Sequence, residues 1–228
     1  MRMRVVAAVG MVGTLAAAAA ANPVPNQVST FQGGNNGGWA NGDRGSDPPI
    51  VTTGGPAGAA DAFLRVTSTG SFGALSRLLT LNESTTWTGN FATAGVNAVS
   101  MELKNFGTAP LSMRVALQET GGTYYVSNPA FTLPADNAWH TATFPLTASG
   151  LQTINGGTPL ATGLTRIREV RILDNPSVDY HGAVVSASFG LDNVRAVPEP
   201  AGPLLLVVVA PFIMRRTSRG ARGFSNHG

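Results

Sequence analysis

Three histidines, twelve carboxylates and no cysteine are what this 228-residue chain offers for metal binding or acid–base chemistry. His227 stands close to the C-terminus. His140 follows Trp139 in a stretch that alternates with Ala142 and Phe144, and His181 lies between Tyr180 and Gly182 in a predicted turn. None has a second histidine at ligand spacing, which argues against zinc, and the absence of cysteine removes thiolate sites, a cysteine nucleophile and dithiol redox chemistry. No Gly-x-Ser-x-Gly elbow, phosphate-cradling glycine loop or His-Glu-x-x-His occurs. A glycosidase needs two carboxyl groups facing each other across a cleft, and the scattered acids declare no such pair. Asn41-x-Asp43-x-Gly45-x-Asp47 has the alternation of a calcium loop, but Ser46 and Thr52 stand where an EF-hand loop carries its glycine and glutamate. A solvated turn is the better reading of that stretch. No metal, cofactor or catalytic residue is assigned from the sequence.

Aromatic rings offer a different chemistry, because the C–H face of a sugar ring suits an aromatic plane. Trp39, Trp87, Tyr124, Tyr125 and Trp139 are available. Tryptophans of a small β domain are mostly core residues. Adjacent strand residues face opposite sides, so one of Tyr124 and Tyr125 is expected at the surface. Trp87, Tyr124 and Tyr125 are the ligand-stacking candidates.

The elements that would position these rings are short strands. Val99, Met101 and Leu103 alternate with Ser100, Glu102 and Lys104; Leu111, Met113, Val115 and Leu117 alternate with Ser112, Arg114, Ala116 and Gln118. Both have the period of two expected of a half-buried strand. Strands are also predicted from Phe63 towards Gly70 and over 75–81, 123–126, 131–133, 139–146, 167–173 and 186–197, with a short helix as the alternative for 164–173. Gly- and Pro-rich turns separate them. The pattern predicts an all-β fold, a single β-sandwich of jelly-roll type over 62–197, preceded by a Gly/Asn/Pro-rich lead-in over 22–61 that Phe31, Trp39 and Ile50–Val51 anchor to the core.

The two ends are of another kind. Arg2 and Arg4 precede an apolar, alanine-rich run to Ala21, which predicts a signal peptide over 1–21. At the other end Val197-Pro198-Glu199-Pro200 leads into an uncharged span over 201–214, expected as a short hydrophobic helix, and then into Arg215, Arg216, Arg219 and Arg222. Those arginines suit the cytoplasmic side of a membrane. The chain has 15 basic and 12 acidic residues, a formal +3. Six of the basic residues lie in the two ends, so the stretch between holds nine basic against all twelve acidic residues, a net −3. The basic character therefore belongs to the targeting segments and is no nucleic-acid footprint.

The tripeptide, the span and the basic cluster, in that order, resemble the sorting tail of the PEP-CTERM exported proteins, a tail also labelled an ice-binding-protein C-terminal motif. The resemblance implies export, the inner membrane as first anchor, an exosortase-type sorting enzyme as partner at Val197, Pro198, Glu199 and Pro200, and delivery to the cell surface or an extracellular polysaccharide matrix. Residues 58–66, Trp87-Thr88-Gly89-Asn90-Phe91, Gly95-Val96 and Leu191-Asp192-Asn193-Val194 resemble the body domains that precede such tails and, more distantly, the galactose-binding-like jelly rolls of carbohydrate-binding modules. That second resemblance implies a calcium beneath the last strand, with Asp192 as the residue it points to.

The expectation is thus an exported, non-catalytic cell-surface or matrix protein. A carbohydrate-binding module is the alternative, and a polysaccharide-active hydrolase or lyase the second alternative.

Overall fold

The computed structural model describes residues 23–199. The predicted signal peptide, Pro200, the span 201–214 and Arg215, Arg216 and Arg219 lie outside them.

The described residues fold into two antiparallel sheets packed face to face. Thirteen strands contribute: β1 (Val28–Ser29), β2 (Trp39–Asn41), β3 (Ile50–Val51), β4 (Phe63–Thr69), β5 (Leu79–Asn82), β6 (Val96–Asn105), β7 (Leu111–Glu119), β8 (Tyr124–Ser127), β9 (Phe131–Leu133), β10 (Trp139–Pro145), β11 (Leu151–Ile154), β12 (Ile167–Asp174) and β13 (Ser186–Pro198). One sheet runs β10-β6-β13-β4-β3, with β1 beside the far half of β13; the other runs β11-β8-β7-β12-β5-β2, with β9 beside the start of β7. The single α-helix among the described residues, α1, is one turn over Leu160–Gly163.

Period-two patterning explains the layers. Leu64 and Val66 of β4, Val99, Met101 and Leu103 of β6, and Met113, Val115 and Leu117 of β7 turn inward and are buried, while alternate residues face out. The lead-in is built into the sandwich: it supplies β1, β2 and β3, and Phe31 and Trp39 are buried in the core. Residues 167–173 are strand, not helix, because β5 and β7 pair with both edges of β12.

The last strand carries the feature that organises one face. Between Asp192 and Arg195 its register with β6 shifts, and Asn193 takes a left-handed backbone at φ 49°, a conformation asparagine tolerates better than most residues. The bulge reverses the alternation. Phe189 and Leu191 point inward before it, Val194 and Ala196 after it.

β13 extends through Val197 into Pro198, opposite Ala98 and Val96, and the Glu199 N–H donates to the Gly95 carbonyl at 3.1 Å. The first half of the Pro-Glu-Pro motif is therefore tied into the sheet as paired strand. Pro198 closes the strand at an irregularity in the ladder, a position where a missing N–H is tolerated.

Candidate functional site

The three proposed stacking residues do not share a surface. Trp87 is only 2% exposed; it packs against Trp39 with ring centroids 5.8 Å apart, and its indole N–H donates to Ser29 Oγ at 3.1 Å. Tyr125 is fully buried, with its hydroxyl donating to the Thr158 carbonyl at 2.8 Å beside the backbone of Gly163. Tyr124 faces the other way, as adjacency requires, yet it too is buried: Tyr180 stacks on it at 3.8 Å, and Arg171 bonds its hydroxyl. The strand rule gave the correct side, but the loop 175–183 folds over that face and covers the ring.

Two carboxylates of this sheet have every need met, Glu169 on that outer face and Glu119 on the inward side at the end of β7. Glu169 is buried between the guanidiniums of Arg44 and Arg171. Burial alone would raise its pKa, but the arginines hold it below the ordinary carboxylate value. Glu119 is raised by burial and lowered by N–H groups of Gly121 and Thr123 and by Arg166, with a net value of about 2. Such saturated carboxylates tie loops to strands. They are not free to exchange protons with a substrate.

The open face belongs to the other sheet, where outward positions of four strands fall in register. Trp139 on β10 is opposite Lys104 on β6; Lys104 is opposite Gly190 on β13; Gly190 is opposite Arg65 on β4. Gly190 makes the row possible. A methyl group there would lie 2.8 Å from Trp139 Cη2 and 3.3 Å from both Phe106 Cε2 and Phe63 Cδ2, so three rings close over a residue without a side chain. Phe63 meets Trp139 edge to face at 5.2 Å and Phe106 in an offset stack at 5.8 Å, geometries that aromatic pairs favour. Phe63 is the buried base of the cluster; Trp139 and Phe106 are half-exposed. The Trp139 indole N–H donates to the Gly54 carbonyl at 3.1 Å, which fixes the ring's orientation. Thr67 and Thr141, in the rows on either side, are exposed.

One row further along β13 the polar character changes. Asp192 is fully buried, one of its oxygens accepts the Asn193 N–H at 2.7 Å, and Oδ2 is the one buried side-chain oxygen or nitrogen without a partner among the described residues. Burial raises its pKa, and the carboxylates of Asp61 and Glu102 raise it further, to about 7. Asp61 accepts from Gln32 and from the Ala57 N–H, and the Gln32 amide also donates to the Thr30 and Ala62 carbonyls, each at 3.2 Å. No three acidic or histidine side chains gather among the described residues. The two carbonyls and one Asp61 oxygen are thus taken by the Gln32 amide, and the orphaned Asp192 Oδ2 beside the Asp61 carboxylate is the pair of oxygen donors that would suit a hard divalent ion such as calcium. Asp43 and Asp47 do not join it. Asp43 Oδ1 accepts the Gly45 N–H at 3.1 Å, as a turn residue does.

His140 contacts Asp136 and His181 contacts Asp179 at 2.9 Å, each a local pair near the surface. Sequence reasoning missed Phe106 and Gly190. The signal available for Gly190 was a glycine inside a strand of alternating pattern, which marks a bulge or a close approach.

No family model and no curated protein matches the chain. Among solved structures it is similar to the family 11 carbohydrate-binding module of cellulosomal cellulase Lic26A-Cel5E of Clostridium thermocellum, with 14% identity, 78% of this chain and 96% of that chain covered, and a TM-score of 0.45. It is similar also to a family 30 carbohydrate-binding module, with 14% identity, 81% and 89% covered, and a TM-score of 0.44. An exo-β-agarase matches at 12% identity over 67% of this chain and a TM-score of 0.48, and the chain spans only 22% of that enzyme's length. No residue role is carried over from them.

Proposed function

We propose that the protein is an exported, non-catalytic surface or matrix module whose β-sandwich binds polysaccharide. The observation that carries this reading is the open face of the β10-β6-β13-β4 sheet, where Trp139 and Phe106 stand half-exposed around Gly190. A half-exposed, oriented indole with threonine hydroxyls in the rows on either side suits the C–H face and hydroxyl rim of a sugar ring. The chemistry is binding. The buried Glu119 and Glu169 are held by arginines, and Asp192 is too deeply buried to reach a substrate. Calcium, where bound, would supply positive charge to Asp61 and Asp192 and fasten the lead-in to the last strand.

Export rests on the terminal segments. The predicted signal peptide sends the chain across the inner membrane, and the resemblance to the PEP-CTERM tail assigns Val197, Pro198, Glu199 and Pro200 to an exosortase-type enzyme, with Arg215, Arg216 and Arg219 on the cytoplasmic side. The intact mass of protein recovered from cells tests this part: a species beginning near Asn22 and ending near Pro200 is expected, and full-length chain in the cytosol would overturn it. A glycan array with the full-length protein tests the other part. Binding that Trp139→Ala removes while the melting temperature holds is expected; no binding to any glycan would overturn it.

A further inference from the structure

The cations beside the aromatic cluster point to the class of glycan, an inference that rests on the polysaccharide-binding reading above. The Arg65 guanidinium carbon lies 4.6 Å, and the Lys104 ammonium 5.4 Å, from the centre of the Phe106 ring. Cations rest on ring faces in this way because the π face is electronegative. Arg65 and Lys104 face Gly190 from the two strands on either side of it, so their Cα atoms stand about 10 Å apart, two strand spacings.

Neither cation is neutralised. The arginines that hold the protein together have partners: Arg44 and Arg171 bond Glu169, Arg166 bonds Glu119, and Arg114 bonds backbone carbonyls. Among the described residues Arg65 and Lys104 form no ion pair; Arg65 reaches only Ser188 Oγ at 3.4 Å. Glu102, the next outward residue on β6, accepts the Thr141 hydroxyl at 2.9 Å. Arg195, exposed on the same face beyond the bulge, adds a third positive charge. On a body of net negative charge, Arg65 and Lys104 set two unpaired positive charges on an aromatic floor, with the Glu102 carboxylate one row away.

We propose that this face takes an anionic polysaccharide, carboxylated or sulfated, with Arg65 and Lys104 holding the acidic group and Trp139 the sugar ring. Charge-assisted hydrogen bonds to a carboxylate or sulfate are stronger than those to a hydroxyl, and the floor sets the cations where a ring on Trp139 would present its substituent.

The test measures binding of the full-length protein in detergent to a polyuronate, a sulfated galactan, a neutral galactan and a neutral glucan, at low and high salt. One or both acidic polymers should bind more tightly than the neutral ones, with the advantage lost at high salt. The double variant Arg65→Gln/Lys104→Gln should weaken acidic binding about tenfold or more and leave the melting temperature unchanged. The polyuronate and sulfated arms decide which acid is recognised. Neutral and acidic polymers bound equally, or a double variant that binds as the wild type does, would overturn the acidic preference. Neutral binding that Trp139→Ala abolishes would leave the polysaccharide reading standing while sinking this inference. No binding by any polymer would sink both.

Discussion

The indole of Trp139 stands directly over Gly190, where a single added methyl group would lie 2.8 Å from the ring. This fit reverses an ordinary expectation. Alanine normally stabilises a strand over glycine by about 0.5–1 kcal/mol, yet overfilling a packed site costs about 1–3 kcal/mol. Gly190→Ala should therefore destabilise the protein on denaturant titration and reduce glycan binding along with it. A variant as stable as the wild type would show that the rings are free to move aside.

Trp87 and Trp139 should part company. Trp87 is buried beside Trp39, and Trp87→Ala should cost about 3–5 kcal/mol of stability. Trp139 is half-exposed, so Trp139→Ala should cost far less stability and more affinity. Denaturation curves and binding isotherms measured on both variants check the contrast.

Asp192 should make stability depend on pH in the direction opposite to a salt-bridged acid. Its pKa is raised, first by burial and then by Asp61 and Glu102, to about 7 in the folded protein, against about 3.9 unfolded. Below both values the group is protonated in either state and costs nothing. As pH rises from about 4 through about 7, the unfolded chain loses its proton first and stability falls. Asp192→Asn should remove that fall and be more stable than the wild type at pH 8. Melting temperatures of both proteins from pH 4 to pH 8 provide the check; parallel curves would refute the assignment.

Calcium should act through the same residue. If the oxygen pair of Asp61 and Asp192 binds the ion, millimolar calcium should raise the melting temperature by mass action at pH 8, chelator should reverse the gain, and Asp192→Asn should be unresponsive. The effect should shrink at pH 5, where the carboxyl holds its proton.

Glu169→Ala should be more damaging than its position on an outer face suggests. It leaves Arg171 buried without a countercharge, a change that costs about 3–5 kcal/mol. Glu169→Gln, which retains a hydrogen-bond acceptor, should cost less, and thermal denaturation would rank the two.

The amino-acid order alone specifies the strands that turn one apolar side inward. Val99–Leu103 and Leu111–Leu117 announce their faces by alternation alone, because the pleat has a fixed period of two. It also determined that the chain's basic excess lies at its two ends, since charge can be counted without a fold. It predicted opposite sides for Tyr124 and Tyr125, and the side was right, but exposure depends on what folds over a strand. That was decided by Tyr180, 56 positions from Tyr124 in the chain. Trp139, Gly190 and Arg65 come from strands far apart in sequence, and Phe106 follows directly on the end of β6. They became one surface only through the register of four antiparallel strands and the bulge at Asn193 that ends it. Local pattern specifies which face a residue takes, whereas only tertiary pairing specifies its neighbours, because register is set by the packing of the whole core.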